Sequence, residues 1–374
     1  MTTGDLAPAH SGPSNGAVDG PECAARARIL TVGTAVPPDS YTQQEVLHEL
    51  RITDPRIRSL FLNSAIDRRN LVLPPMGPDG ARQPETQGEL LRKNLTCGLA
   101  MGIEAIESCL ARAGATVSDV EYLCCVSSTG FMTPGFSAQL IKQLGLPYTC
   151  SRLDVVGMGC NAGLNALSPV VGWAQMNPGR LALMVCIETC SAAYAFDGTM
   201  RTAVVNSLFG DGAAAVAVTA GPAGRAATGP AVLKLSSRII PDAIDAMRYD
   251  WDPDQVRFSF FLDPEVPYVV GAHARAALDR LLAGTGLRRS NVRHWLMHSG
   301  GKKVIDAVRV NLGLSRYDVR HTTSVLREHG NLSSGSFLFS YDRLLDESVA
   351  EPGDHAVMMT MGPGSTIEMG LLRW

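Results

Sequence analysis

The sequence predicts an α/β protein built as two similar layered halves, and three observations lead there. Apolar runs of strand and helix character alternate along most of the 374 residues. Two phrases of one kind, LFGDGAAAVAV from Leu208 and TMGPGSTIEMGLL from Thr360, each set a Gly-x-Gly turn against an apolar run, as a weak internal duplication would. Between them the segment 219–231, TAGPAGRAATGPA, is rich in Gly, Ala and Pro and marks a boundary. The expected organisation is a disordered leader over residues 1–27, a first half over 28–219 and a second over 231–374.

The elements follow from local signals. Thr42 and Glu45 form a capping box that opens a short helix carrying Val46, Leu47 and Leu50. Leu91, Leu95, Leu99, Ile103, Ile106 and Leu110 recur at helical spacing and predict a long helix ending near Gly114. EYLCCVS, SAQLIKQLG, RLDVVGM, a helix after Cys160 and RLALMVCIE then alternate as strand and helix. Beyond the boundary come the strand VLKLSSRII and a helix through Val269, His273, Leu278 and Leu281. The strand HWLMHS and a helix from Lys302 to Leu314 follow.

A net charge of −3 gives no general reason to bind nucleic acid or an anionic membrane, so any anionic ligand must be gripped by local basic groups. No apolar run approaches the roughly 18 residues of a spanning helix. The N-terminus lacks the basic start and apolar core of a signal peptide. Nine cysteines, an odd number with several inside apolar runs, suit a reducing cytoplasm better than a disulfide framework. No CxxC pair occurs, and Cys186 and Cys190 have no nearby histidine to complete a zinc set, so no metal is expected.

Three polar residues share one kind of location, the carboxyl end of a strand, where sites in α/β sheets assemble. Cys160 lies between a strand and a helix, flanked by Gly157 and Gly159. A helix start offers unpaired N–H groups and a positive dipole end, which favour a thiolate. His298 ends HWLMHS, and Asn331 sits in the turn HGNLSSGS. Together they suit nucleophilic catalysis, with His298 stabilising or generating the thiolate and His298 and Asn331 donating to a developing oxyanion. The plainer readings are a packed cysteine, a satisfied core histidine and a turn asparagine. Lys302 and Lys303 open a helix after two glycines and suit a phosphate. Arg56, Arg58, Arg68 and Arg69 form a second basic set, whose plainer reading is a solvated face. Neither GxGxxG nor a Walker pattern is present.

In order, GMGCNAG, LFGDG, HSGGKKVIDAV, GNLSSGS and MGPGSTIE resemble the type III polyketide synthases of the thiolase superfamily, from about residue 28 to the C-terminus. FLNSAIDRR, DAMRYDWD and RFSFFLDP are more similar to bacterial members serving antibiotic pathways than to the plant enzymes. The resemblance implies the thiolase-like, duplicated αβαβα layered fold. It places the nucleophile on Cys160, with His298 and Asn331 as its partners. It places the gatekeeping phenylalanines on Phe209 and Phe260, a pocket hydroxyl on Ser333, and the loop shaping the cyclisation pocket on Met361, Gly362, Pro363 and Gly364. Met361 replaces the usual phenylalanine of that loop. Of the three basic CoA contacts of plant members only Arg56 is matched, Ser59 and Asn63 standing at the other two, so Lys302, Lys303 or Arg58 must substitute. Thr133 stands where plant enzymes insert a methionine into the neighbouring subunit.

The resemblance further implies a homodimer, no metal or organic cofactor, and malonyl-CoA as substrate, with accessory pathway enzymes possible. One malonyl unit serves as decarboxylated starter and three as extenders, and the eight-carbon chain closes to an aromatic ring kept as its CoA thioester. A 3-ketoacyl synthase shares the Cys–His–Asn order but would condense once, on a carrier protein. A papain-like protease shares it too, yet the CGSCW phrase is missing. A non-catalytic homologue would be expected to have lost one of the three residues.

Overall fold

The computed structural model describes residues 26–195, 197–221 and 229–374. Arg26 and Ala27, counted with the leader above, already belong to the first strand; residues 1–25, with Cys23, and the middle of the boundary segment lie outside the described residues. The chain starts with β1 (Arg26–Ala35). The short antiparallel strands β2 (Ser40–Thr42) and β3 (Arg68–Asn70) bracket α1 (Gln43–Glu49) and α2 (Pro55–Leu62). The capping box forms as expected: the Thr42 hydroxyl accepts the Glu45 N–H, and the Glu45 carboxylate accepts the Thr42 N–H.

α3 (Gln87–Ala113) is the long helix, and Gly114 closes it in the left-handed conformation. Its buried face is not the leucine row alone. Leu99, Ile106 and Leu110 are buried, but Leu91, Leu95 and Ile103 lie at its flank, and Gly98, Gly102, Ala105 and Cys109 share the buried face. Close approach explains this. A Cβ on Gly33 of β1 would stand 2.3 Å from the Cys109 nitrogen and 2.5 Å from the Ala105 oxygen.

β4 (Val120–Ser127), α4 (Phe136–Leu144), β5 (Ser151–Val156), α5 (Ala162–Met176) and β6 (Leu181–Glu188) follow in the expected alternation. α6 (Cys190–Ala193) and α7 (Met200–Asn206) lead to β7 (Gly212–Gly221). The second half runs β8 (Ala231–Ile239), the hairpin β9 (Met247–Asp252) and β10 (Arg257–Leu262), α8 (Val266–Leu282), and β11 (Val292–Met297). It ends with α9 (Lys302–Leu312), α10 (Arg320–His329), α11 (Ser336–Glu347), β12 (His355–Gly362) and β13 (Thr366–Arg373). The buried face of α8 runs through Val270, Ala274, Leu278 and Leu281, one residue off the predicted Val269 and His273. α9 stops at Leu312 rather than Leu314, because Gly313 takes a left-handed conformation.

The nine-stranded sheet has the order β11-β12-β13-β8-β1-β7-β6-β4-β5. Its two sides match in direction. β1 pairs antiparallel with β7, β7 antiparallel with β6, and β6 parallel with β4. On the other side β8 pairs antiparallel with β13, β13 antiparallel with β12, and β12 parallel with β11. The two sides join through one antiparallel pair, Arg28 with Ala231. The Gly-x-Gly phrases open β7 and β13, which are equivalent strands.

Packing makes five layers. α3 and α4 cover one outer face in a cluster holding Ile106, Leu140 and Leu183. α5 and α11 lie between the two sides, with Leu164, Leu167, Phe337 and Leu338 in one central cluster. α8 and α9 cover the far face, where Leu278 and Val308 meet Trp295 and Met369. Among the described residues no helix is long and apolar enough to cross a membrane. Gly33→Ala is expected to lower stability by about 1–3 kcal/mol, the usual cost of overpacking, read as a depressed thermal midpoint.

Candidate active site

The chain leaves β5 through Gly157 (φ 82°) and Gly159 (φ 70°), conformations that glycine adopts freely. Cys160 then lies in its own 3₁₀ turn, Gly159–Asn161, directly before α5. This turn is packed by the other half. A Cβ on Gly159 would stand 2.4 Å from Pro363 Cδ, and one on Gly362 would stand 2.3 Å from Asn161 Oδ1 and 3.0 Å from the Cys160 nitrogen. Gly362 and Pro363 therefore press on the cysteine turn itself, while Gly364 has only Thr366 beside it. Met361 is buried in the cluster that also holds Cys160, Phe209 and Phe260.

Asn331 is anchored by backbone. Its N–H donates to the Leu208 oxygen at 2.8 Å, and its own oxygen accepts the Gly210 N–H at 3.0 Å, making a parallel bridge with Phe209. Its Oδ1 accepts the Ser333 N–H at 2.9 Å. With that oxygen engaged, the amide NH₂ is left to face the thiol. Ser333 is fully buried with φ 47°, and its hydroxyl lies 3.6 Å from Cys160 Sγ. His298 follows β11, fixed by its N–H to the Met359 oxygen at 2.9 Å. Its ring meets the backbone of Ser333, and its Nδ1 has no hydrogen-bond partner among the described residues. Cys160, His298, Asn331 and Ser333 are thus assembled from both halves.

Phe209 and Phe260 are 5% exposed each and stand edge to face at 6.3 Å, with Tyr194 4.2 Å from Phe209 and 5.4 Å from Phe260. They give the site an apolar aromatic wall.

Burial opposes the thiolate that a helix start favours. Burial pushes the Cys160 thiol up to about 12, and the nearby Glu188 carboxyl adds to the rise. Hydrogen bonds from Ser333, the Cys160 N–H and Asn331 oppose it without overcoming it. The helix start does not prevail, because the thiol is enclosed by apolar groups. Burial likewise drives His298 down to about 3, so the resting pair is neutral thiol and neutral imidazole.

A buried carboxyl went unnoticed in the sequence reading. Glu188 is 0% exposed at the end of β6, and no cation pairs with it among the described residues. It accepts the Ser128 hydroxyl at 2.7 Å, the Ser128 N–H at 3.0 Å and the Ser334 hydroxyl. Ser128 Oγ in turn lies 3.0 Å from Ser333 Oγ. Burial raises the Glu188 pKa, and these donors hold it back. One signal was available: a lone acid closing the otherwise apolar strand LALMVCIE.

The basic sets divide. Lys302 pairs with Asp306 at 3.0 Å, Lys303 is exposed beside it, and Arg56, 83% exposed in its side chain, reaches Asp54 at 3.8 Å. All three remain accessible to solvent. Arg69 is not part of a solvated basic face: it is 1% exposed, with donors on two backbone carbonyls and on the Gln43 side chain.

Cys160, Asn331, Ser333 and His298 converge in a duplicated α/β fold, and known relatives give its class, a condensing acyltransferase. The family described as chalcone and stilbene synthases matches both halves, its N-terminal domain over residues 88–222 and its C-terminal domain over 236–374. The chain belongs to this family, the type III polyketide synthases. It is 65% identical over 352 residues to a 3,5-dihydroxyphenylacetyl-CoA synthase of Streptomyces toyocaensis, covering 93% of this chain and 90% of that one. It is 66% identical to the 3,5-dihydroxyphenylacetyl-CoA synthase of Amycolatopsis balhimycina, covering 93% of each. The crystal structure of 1,3,6,8-tetrahydroxynaphthalene synthase from Streptomyces coelicolor superposes with a TM-score of 0.84 at 28% identity, over 93% of this chain and 99% of that one.

A thiol held near 12 stays protonated through neutral pH. Alkylation of Cys160 by iodoacetamide in the resting enzyme should therefore be slow at pH 7 and still be rising at pH 9. A plateau reached below pH 8 would show a standing thiolate instead.

Proposed function

We propose that the chain makes 3,5-dihydroxyphenylacetyl-CoA from four molecules of malonyl-CoA, the product for which its 65–66% identical relatives are named. The observation that carries the catalytic reading is the meeting of Cys160 with the Asn331 amide and Ser333 hydroxyl, placed across the two halves. The named product rests on the relatives.

Loading requires the Cys160 proton to move to His298 as the sulfur attacks the thioester carbonyl. The two groups ionise only as a pair, since each alone is held neutral by burial. Decarboxylation of malonyl-CoA leaves a carbanion delocalised into its thioester as an enolate. Donors aimed at that oxygen are then the chief requirement, and losing one such donor costs about 3 kcal/mol. The free amide of Asn331 and the imidazole of His298 supply them. Carbon dioxide leaves as a neutral molecule, and the Phe209 and Phe260 wall presents no cation to retain its carboxylate precursor.

Three condensations on Cys160 extend the acetyl starter to eight carbons. Four CO₂ and three CoA are released, and one CoA remains with the product. For an acetyl thioester arm to survive, the terminal methyl carbon must attack the ketone at the third carbon. Loss of one water and enolisation then give the dihydroxylated ring. Arg56, Lys302 and Lys303 are the residues offered to the CoA phosphates. The chain is taken to work as a homodimer in the reducing cytoplasm, where its unpaired cysteines are stable, with accessory pathway enzymes acting beside it.

Purified protein given malonyl-CoA alone should yield a CoA-linked dihydroxyphenylacetyl product by mass spectrometry. Cys160→Ala should lose that product and keep the wild-type circular dichroism spectrum. Dependence on another acyl-CoA or on a carrier protein would contradict the proposed substrate.

A further inference from the structure

Arg69 belongs to neither the phosphate-binding set nor the catalytic set, yet it is fully buried. We propose that Arg69 is a positioning residue for the condensation, its guanidinium fixing the Phe209–Gly210 peptide and, through that peptide, the Asn331 amide. This rests on the reading of Asn331 as an enolate donor.

The contacts form one chain. Arg69 Nη1 donates to the Asn206 oxygen at 2.8 Å and the Phe209 oxygen at 2.5 Å, and Nη2 donates to Gln43 Oε1 at 2.8 Å. The Gln43 amide holds Ser64 Oγ and the Ser207 oxygen, each at 2.8 Å. The peptide whose oxygen Arg69 holds then donates its N–H to the Asn331 oxygen at 3.0 Å, and the Asn331 N–H returns to Leu208 at 2.8 Å. A peptide polarised by a charged donor at its oxygen is a stronger donor at its nitrogen.

The approach is built for closeness. A Cβ on Gly210 would lie 2.2 Å from the His329 oxygen, and one on Gly330 would lie 2.5 Å from the Leu208 oxygen and 2.8 Å from Arg69 Cδ. Arg69 forms no direct ion pair among the described residues, although the Asp211 carboxyl nearby favours its charge. Its Nη1 donates to two backbone carbonyls, so that nitrogen fixes where the backbone lies. One side of Arg69 lines a cavity of about 180 Å³ shared with Glu49, Arg82, Cys190, Tyr194 and Phe209.

The test uses the full chain with malonyl-CoA. In Arg69→Ala, kcat should fall about 100-fold with KM within about threefold, the pattern of a lost transition-state contact. Guanidinium at millimolar concentration should restore about tenfold or more, and urea or ammonium nothing. Iodoacetamide should alkylate Cys160 at the wild-type rate, which a general collapse of the site would not allow. A kcat within about threefold of wild type, or equal rescue by urea, would overturn the proposal. If Arg69→Ala does not fold, Arg69→Lys decides. A kcat loss of about tenfold or more at unchanged KM supports positioning, and wild-type kcat overturns it. Asn331→Ala separates the two levels. If it keeps activity, the donor reading falls; if it is inactive beside a fully active Arg69 variant, only the Arg69 proposal falls.

Discussion

The site depends on how closely the cysteine turn of the first half approaches the loops of the second, and glycines set that distance. Gly159 lies against Pro363, Gly362 against Asn161 and the Cys160 nitrogen, and Gly163 against the Ser334 oxygen, where a Cβ would come within 2.3 Å. No side chain could be inserted at these points without pushing the halves apart. The seam between the two sides of the sheet is a single strand pair. The central helices α5 and α11 and these loop contacts therefore carry most of the alignment, and the Cys160, His298 and Asn331 side chains inherit it.

Enclosure has an electrostatic consequence. The same packing that aligns the thiol, imidazole and amide removes water from them, so thiol and imidazole rest neutral. For an enzyme whose acyl intermediates must survive several condensations, a dry site also slows their hydrolysis. The buried Glu188 carboxyl fits this design, because it organises the hydroxyls of Ser128 and Ser334 beside Ser333 while placing no cation in the pocket.

Much of this was legible in the sequence. The capping box at Thr42, the left-handed stop at Gly114 and the strand–helix alternation are local signals, and each formed as read. The duplication showed in two Gly-x-Gly phrases that open equivalent strands. Periodicity failed where packing needed closeness rather than bulk: on α3, glycines and alanine share the buried face that leucines were expected to fill. At Cys160 the helix start that favours a thiolate was legible, and the burial that opposes it was not. Arg69 was grouped with its neighbours for the same reason: a row of arginines does not reveal which one turns inward.

The central claim is that Cys160 carries the growing chain. The most direct measurement is rapid-quench mass spectrometry of the Cys160 peptide after mixing with isotopically labelled malonyl-CoA. The account predicts a series of thioester adducts on Cys160, each longer by one two-carbon unit. Product formation with no adduct on that peptide, or with the adducts on a neighbouring thiol such as Cys190, would contradict it.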